Sequence, residues 1–153
     1  MRILSVAFPL LPVTSGSGGG AEQILYLIER GLVKRGHHSI VVAAEGSQIS
    51  GELLASPAVS GEITDETRRQ AHLTHRQLIQ RALNHNAIDL IHFHGLDFFS
   101  YIPLQRNGAR MLATLHLPVD WYPPGIFELP EMKFNYVSRT QANTDHRAFP
   151  VIK

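Results

Sequence analysis

The sequence predicts an α/β fold: a doubly wound, mainly parallel sheet with helices on both faces, in three layers. Three observations predict it. Short, near-continuous apolar runs recur, as strands buried on both faces require, where a half-solvated strand would alternate. Helix-period segments separate the first of these runs from later ones. A glycine-rich stretch, Gly16-Ser17-Gly18-Gly19-Gly20-Ala21-Glu22-Gln23, joins the first run to the first helix. In a Rossmann-like sheet that junction lies beyond the carboxyl end of a strand, where ligands bind.

The first strand is read over residues 2–8, and Pro9 and Pro12 end it. The first helix is read over 21–35, with Ile24, Leu25, Ile28, Leu32 and Val33 on one face. Lys34 and Arg35 suit its negative end, and Gly36 is placed to cap it in the left-handed region. Residues 39–44, rich in β-branched types, form the second strand and complete a βαβ unit with a right-handed crossover. Gly46, Gly51, Pro57 and Gly61 punctuate residues 45–64, a stretch that reads as loop with a short edge strand around Ala58–Ile63.

A second helix is expected from Asp65 to Asn84, capped by Thr64 or Asp65. Leu73, Leu78, Ile79, Ala82 and Leu83 form its apolar face. His72 and His75 fall among its polar positions, which suits a solvated surface; three apart, they also have the spacing of a metal pair. Residues 88–95 then form a strand ending His92-Phe93-His94-Gly95. Alternation along a strand sends His92 and His94 to one face, with His94 nearer the carboxyl edge. A short helix is expected over 97–106, shortened or kinked by Pro103. The next strand, 110–116, ends at His116. Pro118, Pro123, Pro124 and Pro130 mark a long loop containing Trp121 and Tyr122. Such an aromatic pair either lines an acceptor pocket or forms a lid packed on the core. Residues 134–137 make a last short strand. Ser138-x-x-Gln141 has the pattern of a capping box, opening a helix over 139–147 that Pro150 stops.

Composition narrows the function classes. The chain has 153 residues, long enough for one real core, and is read as a single domain. Hydrophobic residues make up 44% and charged residues 18%, a globular balance. A formal net charge of +1 gives no electrostatic case for nucleic acid. There is no cysteine, hence no disulfide framework and no thiolate chemistry, and a cytoplasmic location is expected. The opening apolar run is too short to span a membrane, so membrane association is not indicated.

Four strand ends therefore gather on one sheet edge: the glycine loop after Phe8, His94, His116 and Ser138. The glycines permit turns at positive φ and close approach of a ligand to the main chain. The N–H groups behind them, at the positive pole of a helix, suit a phosphate. The plainer alternative is a flexible linker.

The ordered set of motifs resembles one family. Gly19-Gly20-Ala21-Glu22-Gln23 with a helix ending Lys34-Arg35-Gly36-His37, then Asp89-Leu90-Ile91-His92-Phe93-His94-Gly95, Ala113-Thr114-Leu115-His116 and Tyr136-Val137-Ser138 are similar to the N-terminal half of a GT-B glycosyltransferase of family 4. The resemblance covers essentially the whole chain, and Phe149-Pro150-Val151-Ile152-Lys153 resembles the segment before that family's interdomain linker. It implies transfer of a sugar from a nucleotide-sugar donor, with retention at the anomeric carbon, in a cleft between two Rossmann-like domains. The N-terminal domain holds the acceptor. Gly18, Gly19, Gly20 and Glu22 would form the donor-phosphate loop, and His116 would be catalytic. His94, Trp121, Tyr122 and Ser138 would line the acceptor side of the cleft. No metal or other cofactor is expected, because backbone N–H groups can stabilise the leaving diphosphate. Residues 1–153 are expected to be the N-terminal half alone, inactive without a C-terminal donor-binding domain.

Two other readings stay open. One is a dinucleotide-binding domain of an oxidoreductase: Gly16-x-Gly18-x-x-Ala21 fits a variant of the fingerprint and Glu45 follows the second strand, although the loop is long for that tight turn. The other is a metal-dependent hydrolase using His92, His94 and His116, with only Asp97 and Asp120 as nearby carboxylates.

Overall fold

A computed structural model describes residues 1–152. Its strands are β1 (Arg2–Val6), β2 (His38–Ala44), β3 (Glu52–Ser56), β4 (Leu90–Phe93), β5 (Arg110–Leu115) and β6 (Met132–Tyr136). They form one parallel sheet in the order β3-β2-β1-β4-β5-β6. The helices are α1 (Gly20–Lys34), α2 (Asp65–His85) and the short α3 (Arg139–Asn143). The order reverses between β1 and β4, where a doubly wound sheet opens its ligand crevice. The crevice is therefore bounded by the loops leaving β1 and β4.

The two faces of the sheet differ in chemistry. One carries Leu4, Val6, Ile40, Val42, Ile91, Phe93, Ala113 and Leu115, which pack on Ile79, Ala82 and Leu83 of α2 and on Phe98 and Tyr101. Full burial of a side chain of this kind contributes about 1.5–3 kcal/mol, so this face carries most of the core. The other face packs Ala7, Val41 and Ala43 against Leu25 of α1. Toward β4 and β5 it turns polar: Ser5, His92, His94 and Thr114 are all buried.

Helix α1 ends as expected. Gly36 has φ +79°, its N–H donates to Val33 O at 2.9 Å, and the His37 N–H donates to Leu32 O at 3.0 Å. That pair of bonds is a Schellman cap. The buried stripe of α1 differs from the one expected, because it contains two carboxylates beside Leu25: Glu22 and Glu29. Glu29 accepts the N–H groups of Ser50 at 3.1 Å and Gly51 at 2.9 Å. It thereby ties the return segment 45–51, which joins two parallel strands without a helix, to α1.

Three expected elements are corrected. The edge strand lies at Glu52–Ser56 and not at 58–63, because Leu53 and Leu54 are the residues with apolar packing to offer. Gly51 makes that approach possible, since a Cβ there would collide with the Ser39 carbonyl. The helix expected over 97–106 is a single 3-10 turn, Phe98–Ser100. The helix expected over 139–147 stops at Asn143. In α2, Thr64 caps as expected by accepting the Thr67 N–H at 3.1 Å. Leu73 is exposed, whereas His75 is fully buried with its ring 5.4 Å from that of Tyr101. His72 is bonded through Nε2 to Asp97 Oδ2 at 2.5 Å. The two histidines are thus committed to packing and to a hydrogen bond, neither being a solvated surface position.

Candidate functional site

The loop between β1 and α1 is stitched down along its length, which a flexible linker would not be. Val13 is fully buried; its N–H donates to Ser47 Oγ at 2.9 Å and its carbonyl accepts the Gln48 N–H at 2.8 Å. Ser17 Oγ accepts the Thr14 N–H at 2.8 Å and donates to Pro12 O at 2.7 Å, and Gln23 Nε2 donates to Ser17 O at 2.7 Å. None of the loop glycines has positive φ, contrary to the expectation that they serve to turn the chain. Their contribution is open space: a Cβ at Gly16, Gly18 or Gly20 would meet nothing.

Gly19 is the N-cap of α1 and has no side chain with which to cap it. Glu22 folds back over this position, so that a Cβ on Gly19 would strike its Oε2. The residue is 3% exposed, and burial raises its carboxyl pKa. The helix pole that suits an anion thus faces a carboxyl group of the protein's own.

His116 follows β5 immediately, and its backbone is held on both sides. The N–H groups of His116 and Leu117 donate to the Tyr122 hydroxyl at 3.0 and 3.2 Å. The carbonyls of Leu115 and Leu117 accept Gln141 Nε2 at 2.9 and 2.7 Å. Gln141 is itself placed by half of the expected capping box: its N–H donates to Ser138 Oγ at 3.1 Å, while its Oε1 accepts the N–H of Val137, the residue before the cap, at 3.0 Å. The strapping role of Gln141 is not visible in the sequence; a capping-box glutamine is a local signal, and its reach to the end of β5 depends on where α3 sits beside β6.

The histidines form a column on the polar sheet face. His92 Nε2 lies 2.8 Å from Thr114 Oγ1. The His92 and His94 rings are 4.0 Å apart, so the two share a face as strand alternation requires. His94 Nδ1 lies 3.3 Å from His116 Nε2. Burial lowers the pKa of His92 and of His116 to about 4, and that of His94 well below its ordinary value. All three rings are neutral near pH 7. Among the described residues no group of three or more His, Cys, Asp or Glu side chains is arranged to hold a metal ion. Asp97 is engaged with His72 and with Tyr101, whose hydroxyl donates to it at 3.0 Å.

A cavity of about 500 Å³ at the carboxyl edge brings together Gly19, Gly20, Glu22 and His116, among mostly apolar walls. A neighbouring hollow of about 350 Å³ shares His116 and adds Ser138. His94 is only 1% exposed and faces this edge through His116. Tyr122 is buried, whereas Trp121 is 68% exposed. A larger cavity, about 670 Å³, takes in Asp120, Tyr122 and Arg147 but neither the glycine loop nor His116. The histidine cavity is the better candidate, because it joins the glycine loop to a strand-end histidine.

The parallel order, the crevice between β1 and β4 and a cavity at its mouth define a Rossmann-like α/β domain. The sequence profile of Glycosyltransferase Family 4 matches residues 18–149, and the chain belongs to that family. Its fold is similar to the crystal structure of AviGT4, a glycosyltransferase involved in Avilamycin A biosynthesis, with a TM-score of 0.59 and 19% identity. That match covers 99% of this chain and 41% of the AviGT4 chain, so the protein spans about two-fifths of that neighbour. No curated protein matches the sequence. No helix among the described residues is long and apolar enough to cross a membrane.

Proposed function

We propose that this domain is the acceptor-binding half of a retaining glycosyltransferase that takes its sugar from a nucleotide-sugar donor. The observation that carries the proposal is the meeting of Gly19, Gly20, Glu22 and His116 in one cavity of about 500 Å³ at the crevice mouth. In this reading the bond from the anomeric carbon to the diphosphate oxygen breaks, a bond to an acceptor oxygen forms on the same face of the sugar, and the acceptor hydroxyl's proton passes to the departing diphosphate. The Gly18–Gly20 backbone approaches the diphosphate, whose charge the α1 pole stabilises without a metal. Glu22 stands at that pole, so the phosphate binds once the carboxyl swings aside or carries its proton. His116 lies beside the transferred sugar, and Ser138 and Trp121 border the acceptor. Tyr122 contributes by holding the His116 backbone. The nucleotide pocket is contributed by a second, donor-binding domain outside residues 1–153, and without it these residues turn over little or no donor.

The family match supports this reading over a dinucleotide-binding oxidoreductase. So does the long stitched loop between β1 and α1, where that fingerprint calls for a tight turn. The hydrolase reading asks His92, His94 and His116 to face a common metal, whereas the nitrogens that His94 and His116 turn toward each other are spent on one another.

The test is nucleotide release by the complete gene product from a panel of UDP-, GDP- and ADP-sugars, for wild type and His116→Ala. Donor-dependent release that falls by about 10²-fold in the variant is the expected result. Stoichiometric binding of NAD or a metal, with no donor turned over, would end the proposal.

A further inference from the structure

We propose that His94 is a positioning residue that fixes His116 in the tautomer with its proton on Nδ1, so that His116 meets a substrate oxygen as a hydrogen-bond donor and not as a base. The inference deepens the reading above, in which His116 faces the reacting sugar.

The reasoning is one of donors and acceptors. His94 Nδ1 and His116 Nε2 are 3.3 Å apart. Between two neutral imidazoles, one nitrogen donates and the other accepts. Burial keeps both rings neutral near pH 7. The other nitrogen of His94, Nε2, is sealed from solvent and has no partner among the described residues. A proton on that nitrogen would be a buried N–H with nothing to receive it, and such orphaned donors are rarer than orphaned acceptors. The His94 proton therefore sits on Nδ1 and is donated to His116 Nε2. His116 Nε2, now an acceptor, leaves the His116 proton on Nδ1. That nitrogen makes no hydrogen bond among the described residues and is not sealed, and the residue borders both hollows at the strand edge.

The ring of His94 is held for this task from behind. His92 packs against it with centroids 4.0 Å apart and is anchored on Thr114 Oγ1. Gly95, the next residue, leaves room for the Tyr101 hydroxyl, which a Cβ there would strike. Among the described residues no carboxylate is bonded to either ring: Asp97 is taken up by His72 and Tyr101. In a histidine built as a base, a carboxylate would ordinarily accept the far N–H and leave the lone pair facing substrate. Here the lone pair is spent inward and the N–H faces outward, which suits a sugar hydroxyl or ring oxygen.

The tautomers can be read on 15N-histidine-labelled protein at pH 7 from the pattern of long-range nitrogen–proton couplings. Wild type is expected to show His94 and His116 both protonated on Nδ1. His94→Leu removes the inward donor, and His116 should then shift to a mixture of tautomers. His94→Asn places an amide N–H where Nδ1 stood and should restore the single form. His116 protonated on Nε2 in wild type, or a His116 tautomer that His94→Leu leaves unchanged, would overturn the proposal. The measurement is made on the protein itself, so it is decided separately from whether sugar is transferred.

Discussion

Replacing Tyr122 by Phe removes one oxygen and leaves an aromatic ring of nearly the same size in the core. That oxygen accepts two backbone N–H groups, those of His116 and Leu117. Neither donor has another protein acceptor, and both residues are half-buried, so water replaces the lost oxygen in part. At about 1 kcal/mol for each net hydrogen bond, the change should cost about 2 kcal/mol. Unfolding entropy scales with length, and for a domain of this size 1 kcal/mol moves Tm by about 3 °C, so Tm should fall by about 6 °C. Urea denaturation, compared at equal slope, measures the loss directly. Hydrogen exchange localises it: the His116 and Leu117 amides should exchange faster while those of β1 and β2 do not. A stability change under about 0.5 kcal/mol, with both amides still protected, would show that the hydroxyl does not hold the His116 segment.

Three further outcomes rest on the same geometry. Glu29→Ala should expose the amides of Ser50 and Gly51 to exchange and cost about 1–3 kcal/mol; unchanged protection would contradict the tie to the return segment. Gly19→Ala should destabilise by about 1 kcal/mol through collision with Glu22, and by less in a Glu22→Ala background; additive costs in the double variant would refute the contact. His75 and His92 have pKa values lowered by burial to about 4 in the folded chain, against about 6.5 unfolded. Between those values the unfolded chain binds more protons, so stability is complete above pH 6.5 and falls as pH drops toward 4, by a few kcal/mol. A urea midpoint that stays flat from pH 7 to pH 5 would contradict their burial.

The strands at β1, β2, β4 and β5 are legible in the sequence because each is an apolar run with a clear stop. The caps at Gly36, Thr64 and Ser138 are legible because capping chemistry is local. Helix boundaries past Asp97 and Asn143 are not, since helical spacing there describes loops fixed by Phe98, Tyr101 and Phe149 in the core. The buried carboxylates Glu22 and Glu29 are invisible for a related reason: periodicity counts them as polar and sends them outward, whereas what holds them buried lies in the tertiary fold. At the site, the strand-end argument puts His116 and the glycine loop at one edge, and the cavity joins them. The His94–His116 contact cannot be read, because register between β4 and β5 decides which strand ends touch.

The division of the sheet into an apolar face and a histidine face means that its interior is filled by two different chemistries, one on each side. With Leu4, Val6, Ile91, Phe93 and Leu115 all turned to one side, the opposite side of β4 and β5 is filled by buried hydrogen-bonding groups, Thr114 and the histidines. Substitutions at His92 or His94 therefore cost the fold packing and a hydrogen bond, much as changes on the α2 side cost apolar burial. Histidines held in this way can be exchanged only for side chains that fill the same space and keep the same bonds.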